Sequence, residues 1–179
     1  MIRSVSFALP GRPHATVASV FRNVEKRVRP PELLTIELVP KTCWYTNVRS
    51  NVSKAEWERL KKMVSARAGH VCEICGGRGR KWPVECHEVF AYDDERHVQK
   101  LVRLIALCPA CHEVKHIGLA GARGKRAAAT AHLARVNHWS KEDAELYIEA
   151  CFEIWYRRSC HEWELDLSYL DQLRVEPKG

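Results

Sequence analysis

The 179-residue chain has no apolar run approaching the ~18 residues that carry a helix across a bilayer, so a helical membrane span is excluded. It has no internal repeat and no low-complexity tract, which excludes a repeat architecture and a compositional linker. Acids are missing from the start: none precedes Glu25, although Arg3, Arg12 and Arg22 lie there. That composition is weakly transit-like, but the longest apolar run, around Val5 to Leu9, is followed at once by Pro10 and Pro13, which argues against a secretory signal. A loosely ordered arm ending at Pro30 and Pro31 is expected instead.

General disorder is excluded as well, because 46% of the residues are apolar, enough to build a core. The net charge of +7 divides into +12 over residues 1–140 and −5 over residues 141–179. A basic body with an acidic C-terminal segment suits a polyanion held at one face, and nucleic acid is the expected partner. Without a secretory signal the eight cysteines are not expected to form disulfides, and a reducing cytoplasmic setting is the expectation.

Four of the cysteines form two pairs, Cys72/Cys75 and Cys108/Cys111, each C-x-x-C, with thirty-two residues between the pairs. Each pair sets two thiolates on one tight turn, and two such turns complete a tetrahedral all-sulfur site for a structural zinc ion. Gly76 and Gly77 supply the backbone freedom that the first turn needs. Four thiolates leave no open position, so this zinc scaffolds and does not catalyse. Cys43, Cys151 and Cys160 are read as isolated thiols.

The pattern around the pairs gives the order of elements. LLTIELV, residues 33 to 39, reads as a strand stopped by Pro40. Ser53 with Glu56 makes a capping box, followed by Trp57, Leu60 and Val64 at helical spacing and closed near Gly69. VECHEVF (84 to 90) and LVRLIAL (101 to 107) read as two strands joined across DDER, and CPACHEVKHIG reads as a cysteine turn running into a helix. A helix from about Lys125 and a long one opened by Ser140 follow, the latter striped by Ala144, Tyr147, Ile148, Cys151, Ile154 and Trp155. EWELDLSYL closes the fold. The expected divisions are an arm with a short strand over 1–50, a zinc-containing domain over 51–120 and a helical extension over 121–179.

HEVKH, His112 to His116, also matches the H-E-x-x-H string of zinc proteases. Lys115 lies inside it, no third ligand is signalled downstream, and Cys111 immediately before it belongs to the other ion, so the protease reading is set aside. The i, i+4 spacing still places His112 and His116 on one helical face, able to share a cation if the first strand supplies His87 or Glu88.

From Cys72 to Gly118, about a quarter of the chain, CEIC…VECHEV…LVRLIALCPACHEVKH resembles the HNH nucleases of the ββα-metal type. The resemblance implies an α+β fold, a small zinc-stapled ββα-metal, treble-clef-like core with flanking helices. It implies a metal-dependent endonuclease hydrolysing DNA phosphodiester bonds, with a second divalent cation (Mg²⁺, Mn²⁺, Ni²⁺ or Zn²⁺) besides the structural zinc. In one alignment His87, His112 and His116 hold that cation and Glu88 stands at the base position, so that His87, Glu88 and His112 carry the catalysis. In the other, His87 is the base and Cys86 a ligand; the first is preferred because it puts no thiol on a hard ion.

Arg103 replaces the family's middle Asn, nine residues before His112, so the group that orients the base is missing. A carboxylate is also a weak base near its ordinary pKa. A non-catalytic zinc module that binds nucleic acid or protein is therefore the alternative. Arg78, Arg80 and Lys81, with Arg103, and on the other side Arg123, Lys125 and Arg126, are the candidate phosphate contacts. His14, His70, His97, His132, His138 and His161 are expected to be surface or structural.

Overall fold

The structure, a computed structural model, describes residues 34–175. The expected N-terminal arm, with His14, lies outside them. The described chain is α+β, with a three-stranded sheet of order β1-β2-β3 surrounded by helices.

Strands β1 (Glu85–Asp93) and β2 (Val98–Leu107) form an antiparallel hairpin in which His87 lies opposite Ile105 and Glu88 opposite Leu104. Both strands run further toward the hairpin tip than the branched residues alone suggest. β3 (Glu164–Asp166) adds parallel to β2, so the closing EWELDLSYL contributes a sheet edge.

Helix α1 (Val48–Asn51) is capped by Asn47 and helix α2 (Lys54–Arg67) by Ser53, whose hydroxyl accepts from the Glu56 N–H at 3.1 Å. The hairpin runs directly into α3 (Pro109–Lys115), with proline at the first turn, where its missing N–H costs nothing. A break at His116 separates α3 from α4 (Ile117–Ala122). Helices α5 (Arg126–Asn137) and α6 (Lys141–Arg158) follow, the latter capped by Ser140, and α7 (Tyr169–Gln172) ends the fold.

Strand alternation sends successive side chains to opposite faces, and each face has its own core. One face packs Val89, Ile105 and Leu107 against Val114, Ile117, Leu133 and Ile148 from α3 to α6. The other packs Phe90, Leu104 and Ala106 against Leu60, Val64, Val48 and Leu170. Residues beyond 120 pack on the hairpin and on α3 through α5 and β3.

Leu34 to Val39 does not form the expected strand: it joins no sheet among the described residues. Side chains replace the missing ladder. Asn137 accepts from the Leu34 N–H at 2.8 Å and donates to its carbonyl at 2.9 Å, and the Ile36 N–H reaches the Tyr147 hydroxyl at 3.3 Å. The Glu37 N–H donates to the Lys115 carbonyl at 3.0 Å, which seats this segment against the end of α3.

Candidate functional site

Two clusters of metal-ligating side chains form on the hairpin and α3. In the first, one ligand atom each from Cys72, Cys75, Cys108 and Cys111 lies within 4.8 Å of all the others, a grouping that can bind a metal ion. The first pair sits on a tight turn closed by Gly76 N–H to Cys72 C=O and Cys72 N–H to Gly77 C=O, both 2.9 Å, with Gly76 at φ +69° where a side chain would be strained. Glu73 clips this turn to β2: its N–H donates to the Ala106 carbonyl and its carboxylate accepts from the Ala106 N–H at 2.8 Å.

The sulfurs are close enough to govern one another's ionisation. The hydrogen bond from Cys111 holds the Cys72 thiol down to about 4, and the same bond, with burial, drives Cys111 up. Burial and the Cys72 anion likewise push Cys108 up to about 11. Four thiolates at this spacing need a cation to coexist, the condition that a soft dication meets.

His132 belongs to this cluster, which the sequence did not signal. It is buried, with Nε2 3.1 Å from Cys111 Sγ and Nδ1 2.6 Å from Arg135 Nη2. A guanidinium only donates, so Nδ1 accepts and the proton sits on Nε2, directed at the sulfur.

The second cluster joins His87 of β1 with His112 of α3 and His116 just beyond it, again with ligand atoms within 4.8 Å. The three rings meet edge-on, with centroids 4.8 to 5.3 Å apart, and the His112 and His116 Nε2 atoms are 3.2 Å apart. Burial lowers the His87 pKa, and burial with the neighbouring rings brings His116 to about 4, which favours the neutral form of both, the form that can bind a metal ion.

Carboxylates orient two of the rings from behind. Glu85 hydrogen-bonds His112 Nδ1, and Glu37 lies 3.0 Å from His87 Nε2. A carboxylate accepts, so each of these nitrogens carries the proton, leaving His112 Nε2 and His87 Nδ1 as lone pairs. Lys115, 3% exposed, donates to Glu37 at 2.6 Å and to Thr35 at 2.7 Å. Burial works against the Glu37 carboxylate, but His87 and Lys115 outweigh it and hold its pKa below the usual range. Glu37 and Lys115 were legible only as an acid in an apolar run and a lysine within a histidine motif.

Glu88 lies outside this cluster, which corrects its assignment as a catalytic residue. It follows His87 on a regular strand and so points to the opposite face, where its carboxylate accepts from the Val48 N–H at 2.6 Å at the start of α1. Burial raises its pKa although these amides oppose the shift. Cys86 shares that face, so the alternative alignment loses its ligand for the same reason.

The basic candidates divide by engagement. Arg103 pairs with Glu73, Lys125 with Glu113 at 2.9 Å, and Arg126 with Glu145 at 3.3 Å. Arg78 donates to the Gly69 carbonyl at 3.2 Å. Among the described residues, Arg80, Lys81 and Arg123 form no salt bridge. No helix of the described residues is long and apolar enough to cross a membrane.

Comparison with protein-family models, with curated proteins and with solved structures finds no match for this chain.

Proposed function

We propose that this chain is a metal-dependent nuclease of the ββα-metal type that hydrolyses the phosphodiester bonds of DNA, with a structural zinc ion in the four-cysteine cluster. The observation that carries this reading is the convergence of His87 from the hairpin with His112 and His116 from the following helix. It is supported by a basic body, net +12 over residues 1–140, and by Arg80 and Lys81 on the loop that enters β1, which form no salt bridge among the described residues.

The donor sets fit two different ions. Four sulfurs suit zinc, and three imidazoles suit Zn²⁺ or Ni²⁺ better than Mg²⁺, which prefers oxygen. A dication at the histidines would supply Lewis-acid stabilisation of charge on the phosphate and lower the pKa of an attacking water. The chain's own residues do the rest. Glu37 and Glu85 fix the tautomers of His87 and His112, and Lys115 balances the buried Glu37 charge.

With Glu88 on the far face and with Glu85 and Glu37 both accepting from the histidines on the side away from the shared face, none of the three is assigned as the proton acceptor. Supercoiled plasmid and single-stranded DNA incubated with the zinc-loaded protein plus Ni²⁺, Mn²⁺ or Mg²⁺ test the reading. Cleavage lost in His112→Ala and in His116→Ala supports it.

A second reading, a zinc module that binds nucleic acid or protein without cutting it, is favoured by the engagement of Glu88 with Val48. Binding without cleavage in every metal supports that reading instead.

A further inference from the structure

The loop between the first cysteine pair and β1 holds an aromatic ring in solvent, three residues before Glu85. Trp82 is 62% exposed, and it follows Arg80 and Lys81, both exposed, with Lys81 Nζ 5.9 Å from the Trp82 ring centre. A ring of that size left in water directly after two exposed cations has no role in the core.

The backbone beneath it is braced. The Gly79 N–H donates to the Pro83 carbonyl at 2.9 Å. A Cβ on Gly79 would lie 2.1 Å from the Trp82 carbonyl oxygen and 2.7 Å from the Pro109 ring, so the turn closes on itself and presses against the start of α3. Trp82 therefore stands on a fixed support, three residues before Glu85, which bonds His112. Three residues of extended chain span at most about 11 Å.

We propose that Trp82 is a stacking platform for an unpaired nucleic-acid base, which makes single-stranded or locally unpaired DNA the substrate in place of intact duplex. This rests on the nuclease reading. Stacking needs a free base face, which a paired duplex does not offer, and an aromatic ring flanked by cations that follow the phosphates is the combination that binds single strands. Arg80 and Lys81 supply those cations, and among the described residues neither forms a salt bridge.

The test uses the full-length protein carrying one zinc ion per chain and no further divalent ion, so that binding is read without cleavage. The probes are a single-stranded DNA oligonucleotide carrying 2-aminopurine and its duplex. The single strand is expected to bind at least about tenfold more tightly than the duplex and to be quenched on binding. Trp82→Ala should weaken single-strand binding by about tenfold and remove the quenching, whereas Trp82→Phe should keep most of both. Retained zinc and an unchanged circular dichroism spectrum confirm that the exposed substitution leaves the fold intact.

Equal single-strand affinity for the wild type and Trp82→Ala overturns the platform. If His116-dependent cleavage persists alongside that result, the platform alone falls. If the wild type neither binds nor cuts either form of DNA, both proposals fall together.

Discussion

The Nε2 atoms of His112 and His116 stand 3.2 Å apart, and the Glu85 carboxylate fixes the far side of the His112 ring. Two imidazole nitrogens at that distance are brought together by one turn of helix, and His87 reaches the same place from β1. The hairpin is clipped to the first cysteine turn by Glu73, and α3 begins at the second cysteine pair. The four-cysteine cluster thus fixes the angle at which strand and helix present their histidines.

If Glu37 orients His87, its charge matters more to the histidine cluster than to the fold. Glu37→Gln is expected to weaken binding of the second cation by about 10- to 100-fold, measured by calorimetric titration, with the cysteine-bound ion retained. Lys115→Ala removes the partner of that buried carboxylate and should cost about 3 kcal/mol in urea unfolding.

Glu88 gives a sharper contrast. As a cap on the amides of α1, its replacement by Ala should cost about 1 kcal/mol, seen as a lowered Tm, whereas Glu88→Gln should cost less. Both variants are expected to retain the cleavage activity of the wild type. Loss of cleavage in Glu88→Gln at unchanged Tm would return Glu88 to the base position.

His132 donates to Cys111 from behind the four-cysteine cluster. His132→Ala should weaken zinc binding by about 10- to 100-fold, read as faster transfer to a chromogenic chelator. His132→Gln, which keeps a donor, should lie between that variant and the wild type.

Engagement sorts the basic residues. Arg80→Ala with Lys81→Ala is expected to lower DNA affinity and to reduce the salt dependence of binding by about two in slope, close to one per lost phosphate contact. Arg103→Ala should leave that slope nearly unchanged, because its guanidinium is paired with Glu73. Equal slopes for the two variants would show that pairing does not decide which cations meet phosphate.

Much of this was readable from residues alone. The cysteine spacing marks the four-sulfur cluster, Ser53 and Ser140 mark helix starts, and the spacing of His112 and His116 marks a shared face. Glu88 fits the base position by alignment, but the period of two in a strand sends it to the face opposite His87, against the start of α1. The Leu34 to Val39 segment has the alternation of a strand, but its hydrogen bonds go to Asn137 and Tyr147, partners more than a hundred residues away that no local pattern signals. Glu37 entered the cluster through the same long-range docking.

The central claim is that one chain holds two ions in separate places, one by sulfur and one by imidazole. Native mass spectrometry of protein saturated with Zn²⁺ or Ni²⁺ tests it most directly. Two ions are expected on the wild type, one on His116→Ala, and loss of the tightly held ion from Cys108→Ser. A single ion on the wild type, unchanged in His116→Ala, would contradict it.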